Sequence, residues 1–297
     1  MKMMKDGLVF RTLIRTAALG VCLVAASSLS ASVLMTESFD YAAGNLAGNN
    51  GGVGWGGAWT ETDPDGTATV VSGLSFSDMP VSGGAAEIQI TSNDGFKDEK
   101  ASRASGVSVT TGDDLWVSFL YTQPGAPLAS NSSRTAELRH SLRMRIKPKN
   151  SGSQGVALRY DSAGATATNG TQNIQNGDTF LVVARFGDIG QASGKVALMW
   201  VLDAAGYDSV KAGGVTQAEL DSANILSLSS PHANQSFGIG DAVDMVVADS
   251  SNTSFAAVYD ELRYGTTSQD VVAVVPEPAS LAMLGLGCMA MLKRRQQ

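Results

Sequence analysis

The 297 residues carry 21 basic and 28 acidic side chains, a formal net charge of −7, and two cysteines. An acidic balance repels nucleic acid and anionic membrane, which excludes both as partners of the folded body. With 43 % apolar residues the chain has material for a sizeable core, and with Cys22 and Cys288 at its two ends that core holds without disulfides.

The N-terminus reads as an export leader. Lys2, Lys5, Arg11 and Arg15 form a basic region, 17–26 is an apolar stretch too short to span a bilayer, and the small residues Ser28, Ser30 and Ala31 follow. A signal peptide over 1–31, an N-terminal signal helix cut by signal peptidase near Ala31, is expected. The leader holds four basic and one acidic residue and the segment from Pro276 three and one. Their removal leaves 14 basic against 26 acidic residues, a net charge of about −12 for the exported body.

The body, 32–265, reads as all-β. Short apolar runs rich in Val, Ile, Phe, Tyr and Trp predict strands at 69–71, 86–90, 115–121, 138–146, 156–160, 180–186, 196–202, 236–239 and 255–264, separated by Gly, Asn, Ser and Asp clusters. One helical segment is expected at 217–226. So many strands without alternating helices point to a sandwich or barrel. Residues 266–275 read as a tether.

Candidate chemistry along the body is sparse. Trp55 and Trp59 lie in a Gly-rich stretch where a ring is free to stack on a sugar, whereas Trp116 and Trp200 sit within apolar strands and belong to the core. Asp63 and Asp65 flank Pro64 ahead of Gly66; the pair either converges on calcium or simply forms a β-turn. No other cofactor is expected. In the strand expected at 138–146, period two puts Leu138, His140, Leu142, Met144 and Ile146 inside and Arg139, Arg143 and Arg145 outside. Those arginines either grip carboxylates or sulfates of an acidic polysaccharide in bidentate fashion or pair with acidic neighbours on a solvated face. His140 is expected to be packed. Asp260 and Glu261 are adjacent, so strand geometry aims them at opposite faces and no carboxylate dyad is expected from them. No catalytic residue is assigned.

The tail, 276–297, orders a rigid polar flag, an apolar run and a basic stop. Pro276 and Pro278 hold the tripeptide extended and display Glu277. The run 279–292 covers roughly 21 Å as a helix, short of the ~30 Å hydrocarbon core, so this short C-terminal transmembrane helix anchors only transiently. Lys293, Arg294 and Arg295 stay on the cytoplasmic side. Val275-Pro276-Glu277-Pro278-Ala279-Ser280, the Leu284-Gly285-Leu286-Gly287 run and the basic stop resemble a PEP-CTERM sorting signal. That resemblance implies a bacterium that makes extracellular polysaccharide, with an exosortase as processing partner. The inner membrane is then a transient station and the cell surface or extracellular matrix the destination.

A second resemblance covers the body. Glu37-Ser38-Phe39-Asp40-Tyr41, Gly44-Asn45-Leu46, Trp55-Gly56-Gly57-Ala58-Trp59, 180–186 and 259–266 are similar in order to concanavalin-like, laminin-G-type jelly rolls. It implies a jelly-roll β-sandwich whose first and last strands pair; fold alone does not imply function. The expectation is a noncatalytic surface or matrix protein associated with extracellular polysaccharide. The alternatives are a carbohydrate-binding module with an acidic-glycan site and, less favoured, a polysaccharide hydrolase or lyase.

Overall fold

The computed structural model describes residues 33–62, 66–91, 97–125, 135–140, 143–147, 155–159, 166–168, 174, 177–192, 195–232, 236–249 and 254–273. The leader, Asp63 and Asp65, and the sorting tail lie outside the described residues. The strands are β1 (Val33–Glu37), β2 (Gly44–Asn45), β3 (Thr60–Glu61), β4 (Gly66–Ser72), β5 (Gly84–Ile90), β6 (Lys97–Ala104), β7 (Leu115–Thr122) and β8 (Thr135–Arg139). They continue as β9 (Arg143–Lys147), β10 (Gly155–Arg159), β11 (Thr166–Thr168), β12 (Thr179–Phe186), β13 (Lys195–Leu202), β14 (Leu226–His232), β15 (Ala242–Asp249) and β16 (Phe255–Gly265). Among the described residues three helices accompany them, α1 (Ala204–Gly213), α2 (Gln217–Ala223) and α3 (Ser268–Val271).

Two antiparallel sheets result, the jelly-roll sandwich that the sequence implies. The first runs β14-β13-β12-β7-β16-β5-β4-β2 with β1 also on β16; the second runs β11-β10-β9-β8-β15-β6-β3. The terminal strands pair, with Met35 opposite Tyr264 and Glu37 opposite Leu262. Between the sheets lies the main core, where Phe119, Tyr121, Val182, Met199 and Tyr259 of one face meet Leu138, Met144, Val243 and Met245 of the other.

The middle of the first sheet is buried on both faces, and its sequence explains why. Every residue of β7 is buried, because Val117, Phe119 and Tyr121 face the sandwich while Trp116 and Leu120 face a second apolar cluster. That cluster joins Trp200 and Leu202 to Tyr207 and Val210 of α1, Leu220 of α2, and Val271 and Val272. Trp116 and Trp200 stack at 5.8 Å and 7° between planes, and the Trp200 indole donates to Asp221 at 2.8 Å. Both tryptophans are core residues, as expected.

Four expectations need correction. The run 138–146 is not one strand but the hairpin β8–β9, with Arg139 opposite Arg143 and Leu138 opposite Met144. Residues 236–239 form no strand, although Phe237 is buried and stacks on Tyr264 at 5.6 Å. A helix absent from the sequence reading, α1, precedes α2, capped by the Asp203 side chain and ended by left-handed Gly214. The tether expected at 266–275 is packed as far as Ala273: Thr267 caps α3, Ser118 donates to the Val271 carbonyl, and Tyr207 donates to that of Ala273. Among the described residues no helix is long and apolar enough to cross a membrane.

Candidate functional site

With the first sheet covered by helices, the outer face of the second sheet is where polar side chains gather. Alternation turns Ala101, Ala136, Leu138, Met144, Ile146, Val243 and Met245 into the core and leaves Lys100, Ser102, Asp244, Glu137, Arg139, Arg143 and Arg145 on the opposite face. Cross-strand register arranges them in rows. Ser102, Asp244, Arg139, Arg143 and Arg159 follow one another across β6, β15, β8, β9 and β10.

Glu137 is the hub of this face. Its carboxylate is buried and accepts from Arg139 Nε at 2.5 Å and from Arg145 Nε at 2.5 Å, with the Arg145 terminal nitrogen also paired to it. Burial by itself would raise the carboxyl, but the two guanidinium groups hold it below the usual carboxylate range. Arg139 also lies 4.0 Å from Asp98, whose side chain is 41 % exposed. On the neighbouring strands Ser102 donates to Asp244 at 2.5 Å and Lys100 lies 3.7 Å from it. The acidic-neighbour reading therefore describes Arg139 and Arg145, while Arg143, half-buried, has no ion pair among the described residues. Glu137→Ala is expected to lower stability by about 1–3 kcal/mol, read as the urea midpoint, because two partly exposed cations lose their shared anion.

The tryptophans expected in an accessible loop are placed differently. Trp59 is 1 % exposed and stacks on Phe39 at 5.9 Å, with its indole donating to Glu37 at 3.2 Å. Trp55 is half-buried and donates to the Thr36 carbonyl at 2.9 Å. The Arg103 guanidinium lies over both rings, 5.0 and 5.7 Å from their centroids. Arg103 is itself buried, paired with Glu37, and donates to the carbonyls of Gly57 at 2.5 Å and Gly51 at 2.8 Å and to Asn50 at 2.7 Å. The Gly-rich segment is thus wrapped around a buried cation, and Trp59 has no face left for a sugar. Sequence reasoning missed Arg103; its one signal is a basic residue at an inward position of β6, alternating with Ala101 and Glu99.

Asp260 and Glu261 also depart from strand geometry. The register of β16 shifts between Asp260 and Arg263, and Glu261 adopts φ 48°. Both carboxylates consequently reach the same loop: Asp260 accepts from the Leu74 N–H at 2.8 Å and Glu261 from the Ser82 N–H at 2.7 Å. Arg263 donates to Glu261 at 2.8 Å. Burial raises the Asp260 carboxyl to about 7, against the lowering effect of the N–H groups of Leu74 and Glu261. These acids hold the 73–83 loop over the outer cluster, where Phe76 meets Tyr207 at 5.5 Å. His140 is packed edge-on against Phe186 at 4.9 Å and Phe237 at 5.6 Å, and burial lowers it to about 3.

Among the described residues no group of three or more His, Cys, Asp or Glu side chains is placed to hold a metal ion. Solved structures similar to this one include the carbohydrate recognition domain of Emp47p, at 8 % identity over 80 % of this chain and 97 % of that one, TM-score 0.40. The globular domain of T. cruzi calreticulin is 10 % identical over 81 % and 90 %, TM-score 0.44. The cellulose-induced protein Cip1 is 15 % identical over 70 % and 91 %, TM-score 0.41. No curated protein sequence matches the chain. At the C-terminus residues 274–296 match the family model of the PEP-CTERM protein-sorting motif. The Pro276–Glu277–Pro278 flag, the short apolar run and the Lys293–Arg295 stop are that motif, and the chain ends in a PEP-CTERM sorting signal.

Proposed function

We propose that this is an exported, noncatalytic protein of the cell surface or extracellular matrix, processed at its tail by an exosortase and retained in extracellular polysaccharide. The sorting motif over 274–296 carries the reading. The short apolar run suits a substrate that waits in the inner membrane for cleavage and then leaves it. The engagement of Asp260 and Glu261 in holding a loop, and of His140 in an aromatic cage, supports a body without acid/base catalysis.

Mass spectrometry of the protein recovered from outside the cell tests the proposal. The expected C-terminus lies near the Pro276–Pro278 flag, without Lys293–Arg295. Recovery of an intact Gln297 on the extracellular protein, or retention of all of it in the inner membrane, overturns processing.

A further inference from the structure

Resting on that reading, we infer that the outer face of the second sheet is a binding site for a linear acidic polysaccharide, with Arg143 as its anion-contacting residue. Backbone register sets Arg139, Arg143 and Arg159 directly opposite one another on β8, β9 and β10. Like charges opposed across strands are unfavourable, by roughly 0.2–1 kcal/mol per pair. One row away the sheet cancels the same problem with Glu137, which lies opposite Arg145 and also draws Arg139 toward itself. In the row through Arg143 the anion is Asp244, which lies opposite Arg139 on β15 and is engaged by Ser102 and Lys100, and Arg143 itself has no ion pair among the described residues. Three cations in register are kept in a body whose net charge is about −12.

The sign pattern of the face selects the ligand class. Five cations, Lys100, Arg139, Arg143 and Arg145 together with Arg159 by register, are interleaved with Asp98, Glu137 and Asp244, so the local surplus of positive charge is two. A densely charged polymer such as nucleic acid is repelled by those carboxylates and by the acidic body. A polysaccharide with spaced carboxylate or sulfate groups suits both signs: its anions pair with the Arg143 fork, and its hydroxyls donate to Asp98 and Asp244. The anchored partners also make the site rigid, since Glu137 fixes two of the guanidinium planes before any ligand arrives.

Arg143→Ser separates this site from the fold, because Arg143 supports no ion pair among the described residues. The exported protein recovered from its producing cells is titrated by affinity electrophoresis with a polyuronate, a sulfated glycan, a neutral glucan and a single-stranded DNA oligonucleotide. Saturable binding to either acidic glycan is expected, weakened about 10-fold by Arg143→Ser, the loss of one charge-assisted contact. The thermal midpoint should not fall and is expected to rise slightly, because Arg143 no longer opposes two like charges across the strands. Preference between the polyuronate and the sulfated glycan identifies which anion the site takes. Equal binding by wild type and variant, absence of binding to both acidic glycans, or equally tight binding of DNA overturns the site. Binding of the neutral glucan alone overturns it while leaving polysaccharide retention standing; an intact Gln297 in the same preparation counts against export processing only.

Discussion

Arg103→Met is expected to lower the unfolding free energy by about 3–5 kcal/mol, the cost of leaving one member of a buried ion pair without the other. Glu37 sits on β1 in the first sheet and Arg103 on β6 in the second, so their contact ties the two layers together at one side of the sandwich. Without the guanidinium, Glu37 keeps only the Phe39 N–H, the Tyr41 hydroxyl and the Trp59 indole as donors. The carbonyls of Gly51 and Gly57 lose a partner as well. For a domain of this size each 1 kcal/mol moves the midpoint by roughly 2–4 °C, so a drop of about 10 °C is the expected reading. Met keeps the length of the side chain and most of its packing, which isolates the charge. Adding Glu37→Gln to Arg103→Met is expected to recover part of the loss, because the stranded anion is then gone. A single variant within about 1 kcal/mol of wild type would rule out the pair as the tie between layers.

The same pair shows what the sequence conceals. β7, β12 and β13 were legible because both of their faces are largely apolar, which writes hydrophobic runs interrupted only by Ser118 in β7 and Arg185 in β12. β6 reads Lys-Asp-Glu-Lys-Ala-Ser-Arg-Ala and carries no such run, since its inward positions include Glu99 and Arg103, and the partners of Arg103 are far away in sequence. The hairpin β8–β9 was misread for a reason of parity. Leu138 and Met144 are an even number of positions apart and both face the core, so the period-two pattern passes through the turn as though no turn were there. That parity also hid the central feature of the candidate site, since Arg139 and Arg143 appear as successive rungs of one strand and are in fact opposed across two. In α1, Gly206 and Gly213 mask a helix; a Cβ at Gly206 would lie 2.4 Å from the Ala223 carbonyl, so glycine there permits the close approach of α1 and α2. The sorting motif was legible because its recognition rests on the order of residues and not on tertiary contacts.

Two buried groups should give the body opposing pH dependences that single substitutions uncover. His140 falls from an ordinary 6.5 to about 3 on folding, so acidification below 6.5 protonates it in the unfolded chain but not in the folded one. Between pH 6.5 and 5 this removes roughly 2 kcal/mol of stability. Asp260 rises from 3.8 to about 7, so between pH 7 and 5 the folded chain binds a proton that the unfolded chain does not. That adds roughly 2–3 kcal/mol over the same interval and is lost again as pH rises through 7. The two nearly cancel in the wild type, whose stability should change little between pH 7.5 and 5 on their account. His140→Phe keeps a ring against Phe186 and Phe237 and is expected to become more stable as pH falls. Asp260→Asn is expected to become less stable over the same range. Glu137, held low by its two arginines, stays ionised above pH 5 and does not enter this window. Urea unfolding followed by tryptophan fluorescence at pH 5, 6 and 7.5 reads the three slopes. Parallel slopes in wild type and both variants would mean that neither group changes its protonation on folding, and the strap formed by Asp260 on the Leu74 amide would then hold a carboxylate charged at every pH in the range.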